Sequence, residues 1–118
     1  MRYLLMIHSS PWSHQSVRSA TDFATAAIQQ GHKIDAIFLY QDGASIALPN
    51  LEISSDEFNG QQALQDLHNT YGVPIWLCVT AGVKRGVNEA HLANGFKIAG
   101  LAEYAEASTL ADKVIQFK

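Results

Sequence analysis

Apolar positions along this chain fall into two alternating textures. Tyr3 to Ile7 is an unbroken apolar run, the pattern of a strand covered on both faces. A polar loop, His8-Ser9-Ser10-Pro11-Trp12-Ser13, follows it. Val17, Ala20, Ala24, Ala27 and Ile28 then recur at helical spacing, and Gly31 stands where a helix end takes a left-handed residue. The spacing predicts an amphipathic helix of about four turns, packed through small side chains. Ile34 to Tyr40 reads as a second strand, closed by Gln41-Asp42-Gly43, and residues 44–55 carry no period and read as loop. Ser54 with Glu57 three residues on reads as a capping box, which also accounts for the Asp56-Glu57 carboxylate pair. The helix it opens has Leu64, Leu67 and Tyr71 on one face and stops at Gly72 and Pro74. Ile75 to Val79 is a third buried strand, followed by a short segment, Thr80 to Gly86, that can begin as a helix capped by Thr80. Residues 87–97 read as irregular or weakly helical, Ile98 to Leu110 as helix, and Lys113 to Phe117 as a last strand.

Alternating strand and helix implies a parallel sheet with helices on both faces. The expectation is one α/β domain over residues 1–118, a three-layer α/β/α sandwich whose mostly parallel sheet has four or five strands. No linker, repeat or low-complexity stretch divides it. Composition agrees: 47% hydrophobic and 16% charged residues in 118 is ordinary for a globular domain able to bury a core. A net charge of −3 gives no basic footprint for nucleic acid or an anionic membrane. The apolar start is too short for a signal-peptide core, and no segment approaches the roughly 20 apolar residues of a membrane helix.

Cys78 is the one cysteine. That excludes an internal disulfide, a CxxC redox pair and any zinc site needing several thiolates. A free thiol persists best in a reducing compartment, which favours the cytoplasm. Ligands and reactive groups in open α/β sheets collect at the carboxyl ends of strands. Cys78 lies at such an end, just before a helix start, with Lys84 and Arg85 within two turns. A strand end, a helix N-terminus and nearby cations are what a low-pKa cysteine needs. The competing reading is a buried, inert thiol acting as a small hydrophobe, with Lys84 and Arg85 on a solvated face. His8 ends the first strand on the same rim and is an auxiliary candidate for proton transfer. His14, His32, His68 and His91 form no pair spaced three or four apart, so no helical metal site is visible. Glu103 and Glu106, three apart, read as an exposed helix face. There is no GxGxxG, Walker loop or G-x-S-x-G elbow. The Ser9–Ser13 loop is the nearest approach to a phosphate cradle, and it lacks glycine.

The segment from Leu77 through Cys78, Val79, Thr80, Ala81, Gly82, Val83, Lys84, Arg85 and Gly86 to Val87 resembles the cysteine-bearing stretch of DsrE/TusD-like sulfur-relay proteins. So do Gly95 to Leu101, Ala105 to Ser108, Asp112 to Phe117, Gly31-His32, Phe38 to Tyr40 and Ser55 to Phe58, in that family's order over nearly the whole chain. The chain is shorter than the family pattern between about residue 88 and Gly95, and no second cysteine stands near Leu110-Ala111-Asp112. The resemblance implies a DsrE-like sandwich with flavodoxin-like topology and a sulfurtransferase activity. It implies that Cys78 accepts sulfane sulfur as a persulfide and passes it on, with Thr80, Lys84 and Arg85 as candidates to stabilise the thiolate. No metal or organic cofactor is required. Implied partners are TusB/TusC-like or DsrF/DsrH-like sister subunits, or copies of the chain itself, with a TusA-like donor and a TusE-like acceptor. The destination would be 2-thiouridine in tRNA or dissimilatory sulfur oxidation, without direct nucleic-acid binding. Two other classes stay open: a non-catalytic structural subunit using Trp12 and Trp76 for interface and packing, and a flavodoxin-like module binding a phosphate-bearing ligand at Ser9–Ser13.

Overall fold

In the computed structural model, which describes residues 1–118, five strands form one parallel sheet: β1 Arg2–Ile7, β2 Lys33–Leu39, β3 Ile75–Cys78, β4 Phe96–Ala99 and β5 Lys113–Phe117. The order is β4-β3-β2-β1-β5. A flavodoxin-like sheet runs 2-1-3-4-5, so this chain shares that layering but not its strand order. β1 here lies between β2 and β5. Three successive crossovers step one way, from β1 to β4, and the fourth returns across the sheet to β5. Right-handed crossovers then put α1 (Ser16–Gln29) and α2 (Gly60–Tyr71) on one face and α4 (Leu101–Leu110) alone on the other. The contacts agree: α1 packs against α2, and α4 lies across β1, β2 and β4. A short helix, α3 (Val79–Val83), follows directly on β3.

The apolar runs make the core. Leu5, Ile7, Ile37, Leu39, Ile75 and Leu77 are buried on neighbouring strands. Val17, Ala20, Ala24 and Ala27 line the buried stripe of α1, as their spacing predicts. That helix ends at Gln29, and Gly31 behind it is left-handed at φ +87°. On the α1 face Phe23 meets Tyr3 in a T-shaped pair and Phe117 in a tilted one. On the α4 face, Phe38 packs against Tyr104 with ring centroids 5.0 Å apart. That partial burial raises the Tyr104 pKa. α4 itself buries no residue completely, and Leu101 and Leu110 remain half-exposed.

Several local expectations are corrected. Residues 41–47, read as the close of the second strand and the start of a loop, form a 3₁₀ helix with Gly43, Ala44, Ile46 and Ala47 buried. Gln61 anchors it by donating from Nε2 to the carbonyls of Ile46 and Leu48, at 2.8 and 2.7 Å. Ser54 does not cap α2. It opens a turn, with Glu57 N–H donating to the Ser54 carbonyl at 3.0 Å, and its hydroxyl donates to Asp56. That bond, with a second from the backbone of Asp56, lowers the Asp56 pKa. The cap of α2 is Asn59, whose Oδ1 accepts from Gln62 N–H at 2.9 Å. Tyr71, placed on the apolar face by spacing, is exposed. Phe96–Ala99, read as irregular chain running into helix, is the edge strand β4, and the helix begins only after Gly100. Glu103 is more than an exposed face residue: its Oε2 accepts from Gly100 N–H at 2.8 Å and closes the helix start.

The candidate thiol site

Leu39 of β2 pairs with Leu77 of β3, and Phe38 with Trp76. Side chains alternate along strands, so Cys78 shares the α4 face with Phe38 and Trp76. It is the last residue of β3, paired with Ala99 of β4, and also the N-cap position of α3. The helix therefore starts two residues earlier than a Thr80 cap would have it: Thr80 lies inside α3 and caps nothing. Cys78 makes no cap hydrogen bond of its own.

A cleft of about 270 Å³ opens at this point, lined by Tyr40, Gln41, Cys78, Thr80, Lys84, Arg85 and Leu101, with Ala81 behind them. The structure thus brings together Cys78, Thr80, Lys84 and Arg85. Only 2% of Cys78 is exposed, so the cleft is its route to solvent.

The two cations are not equivalent. Arg85 donates from Nε and Nη2 to Asp42 Oδ1, at 3.1 and 2.7 Å, and from Nη1 to the Ala81 carbonyl at 2.9 Å. Its charge is committed to the 3₁₀ segment. The other ion pairs, Arg2–Asp35 and Lys33–Asp35, lie toward the amino ends of β1 and β2, away from the cleft, and Lys84 belongs to none. Lys84 is the cation left free at the cleft.

His8 is not on the cleft wall. Its ring stands edge-on to Tyr40, centroids 5.7 Å apart, and its Nε2 is buried without a partner. Sequence reasoning missed Tyr40, Gln41 and Leu101. The first two follow the β2 apolar run, and only the register of β2 on β3 brings them beside Cys78. Gln41 has φ +50°, an uncommon conformation for a side-chain-bearing residue. It marks the sharp turn out of β2.

No three His, Cys, Asp or Glu side chains are arranged to hold a metal ion. No helix is long and apolar enough to cross a membrane. The Ser9–Ser13 loop contributes only an internal contact, Trp12 N–H to Ser10 Oγ at 3.2 Å, and one from Ser13 to His14.

The model of the DsrE/DsrF-like family matches residues 1–117. A sulfurtransferase TusD homolog from Vibrio vulnificus (strain YJ016) is 38% identical, with 99% of this chain and 98% of that protein covered. Sulfurtransferase TusD from Cronobacter sakazakii is 34% identical over 99% of this chain and 100% of its own. Both alignments run to 128 positions against the 118 residues here, so the relatives carry extra residues. Among solved structures, the ychN protein from E. coli superposes with a TM-score of 0.85 at 28% identity, covering 99% of this chain and all of that one. The family model, these full-length matches and the shared fold agree, and the chain belongs to the DsrE/DsrF-like family.

Proposed function

We propose that this chain is a sulfurtransferase that carries sulfane sulfur as a persulfide on Cys78. The observation that carries the reading is the position of its one thiol, at the carboxyl end of β3 in a cleft beside an unpaired lysine. The sulfurtransferase names of relatives matched over their whole length support it.

In the first half-reaction the Cys78 thiolate attacks the outer sulfur of a donor persulfide, R–S–SH. A new S–S bond forms to Cys78, the donor S–S bond breaks, and R–S⁻ leaves with the electron pair. In the second, an acceptor thiolate attacks that outer sulfur and Cys78 leaves as thiolate. The chemistry is thiol exchange, governed by thiolate fraction, access and leaving group. Lys84 supplies the mobile positive charge for the anions, while Arg85 holds the cleft wall through Asp42. Thr80 offers a hydroxyl on the same wall. The proposal takes from the family resemblance a TusA-like donor, a TusE-like acceptor, and either sister subunits of the TusB/TusC or DsrF/DsrH kind or copies of the chain itself, in the cytoplasm.

Intact mass spectrometry after incubation with a cysteine desulfurase, cysteine and a TusA-like carrier tests this. The native chain gains one sulfur, reductant removes it, and Cys78→Ala gains none. One observation favours a second reading, a structural subunit without chemistry: Cys78 is almost fully covered. If the native thiol takes up no sulfur and resists small alkylating reagents without denaturant, the second reading replaces the first.

A further inference from the structure

We infer that Tyr40 is a catalytic residue of this site, donating a hydrogen bond from its phenol to the outer sulfur of the Cys78 persulfide. The inference rests on the carrier reading above and extends it to a residue that reading does not use.

Placement comes first. Leu39 and Leu77 are paired, so Tyr40 and Cys78 follow as the next residues on adjoining parallel strands, which lie about 4.8 Å apart. Tyr40 is extended (φ −126°, ψ 156°), so the alternation continues through it. Both side chains therefore rise from the same face, and both line the same cleft.

Reach comes next. Cysteine extends one atom beyond Cβ, whereas the tyrosine hydroxyl lies across a ring. The phenol can thus reach farther out from the sheet than Sγ, past the space that a second sulfur would take. An S–S bond adds about 2 Å, and the cleft of about 270 Å³ has room for that atom.

The ring is also held in place. Tyr40 N–H donates to the Ile7 carbonyl at 2.9 Å, and the Tyr40 carbonyl accepts from Gly43 N–H at 3.0 Å. Phe38 packs against the ring at 6.4 Å and His8 meets it edge-on at 5.7 Å. The hydroxyl, by contrast, has no protein partner: Tyr3 is the tyrosine whose hydroxyl bonds within the chain. A phenol on a fixed ring with its donor unspent, facing a cleft that holds a thiol, is preorganised for an anion that forms there.

The chemistry uses the donor without consuming it. Attack by the Cys78 thiolate on R–S–SH gives Cys78–S–SH and R–S⁻. The product persulfide releases its proton to solvent, and its outer sulfur then carries the charge. Tyr40 keeps its proton and donates a hydrogen bond to that sulfur.

Tyr40→Phe in the full chain tests this, because it keeps the ring and its packing. The probe is glutathione persulfide, with loading followed by intact mass. Alkylation of the unloaded thiol by iodoacetamide is measured beside it. The expected result is loading slowed about tenfold, with alkylation within twofold of the parent. Loading at the parental rate, or equal slowing of loading and alkylation, would overturn the inference. A parent chain that takes up no sulfur would overturn the carrier reading and this inference with it, a result distinct from either.

Discussion

Gly43 is where the cleft is most sensitive to a single methyl group. A Cβ built there lies 2.5 Å from the Ile7 carbonyl oxygen, 3.2 Å from its carbon and 3.4 Å from Ile7 Cγ2. Ordinary contact requires a retreat of roughly 0.7 Å or more. The obstacle is backbone, and it cannot yield easily. Ile7 is fully buried in β1, and its carbonyl also accepts from Tyr40 N–H at 2.9 Å. Gly43→Ala must therefore displace the 3₁₀ segment, loosening the bonds from Gly43 N–H to the Tyr40 and His8 carbonyls. Overpacking of this kind costs about 1–3 kcal/mol. For a domain of this size that lowers Tm by roughly 4–12 °C. Gly31→Ala is the natural control. It has no neighbour within 4 Å but sits at φ +87°, so its cost is backbone strain of about 1 kcal/mol. Thermal and urea melts of the three proteins give the ranking. If Gly43→Ala melts within a degree or two of the parent, the close approach of the 3₁₀ segment to β1 is wrong, and with it the placement of Tyr40 and Gln41.

Two further outcomes follow from the corrected caps and the divided cations. Asn59→Ala should destabilise by about 1 kcal/mol through the lost cap of α2, whereas Ser54→Ala should stay within about 0.5 kcal/mol; equal losses in urea melts would restore Ser54 as the cap. Asp42→Asn frees Arg85 at the cleft and should raise the ratio of iodoacetate to iodoacetamide alkylation of Cys78, while Lys84→Gln should lower it. A unit charge at roughly 7 Å in a water-like medium is worth about 0.6 kcal/mol, or two- to threefold, and added salt should shrink both changes. An unchanged ratio in both variants would mean that neither cation acts on the thiol.

Which parts of the fold could be read in advance follows from where each element draws its stability. β1, β2 and β3 announce themselves because a buried parallel strand is apolar along its length, and β5, an edge strand with no fully buried residue, shows through Val114, Ile115 and Phe117. α1 is legible because Val17, Ala20, Ala24 and Ala27 repeat on one stripe. β4 is not, because it is an edge strand of four residues with Lys97 exposed, held by pairing to β3 rather than by its own pattern. Its last residues, Ile98 and Ala99, share the composition of the helix that follows, and only the cap from Glu103 to Gly100 marks the boundary. The 3₁₀ segment escapes for a related reason. Its anchor is Gln61, fourteen or so residues away, and a side chain that bonds distant carbonyls leaves no local period.

The site divides along the same line, between what one segment encodes and what two segments meet to make. Cys78, Thr80, Lys84 and Arg85 share one stretch of chain, so their proximity could be read directly. Their roles could not, because the partner that separates them comes from elsewhere. Asp42 lies thirty-six residues before Cys78, and its carboxylate removes Arg85 from the pool of free charge at the cleft. With Asp42 about two-thirds exposed, that pair adds little to stability. Its effect lies in geometry: it ties α3 to the segment that carries Tyr40 and Gln41 past Cys78. A cysteine followed by two cations in sequence becomes, in the fold, a cysteine with one unpaired cation and one structural strut. Under the proposed carrier reading, the cleft therefore draws on Lys84 and on the β2 corner together, and neither alone defines it.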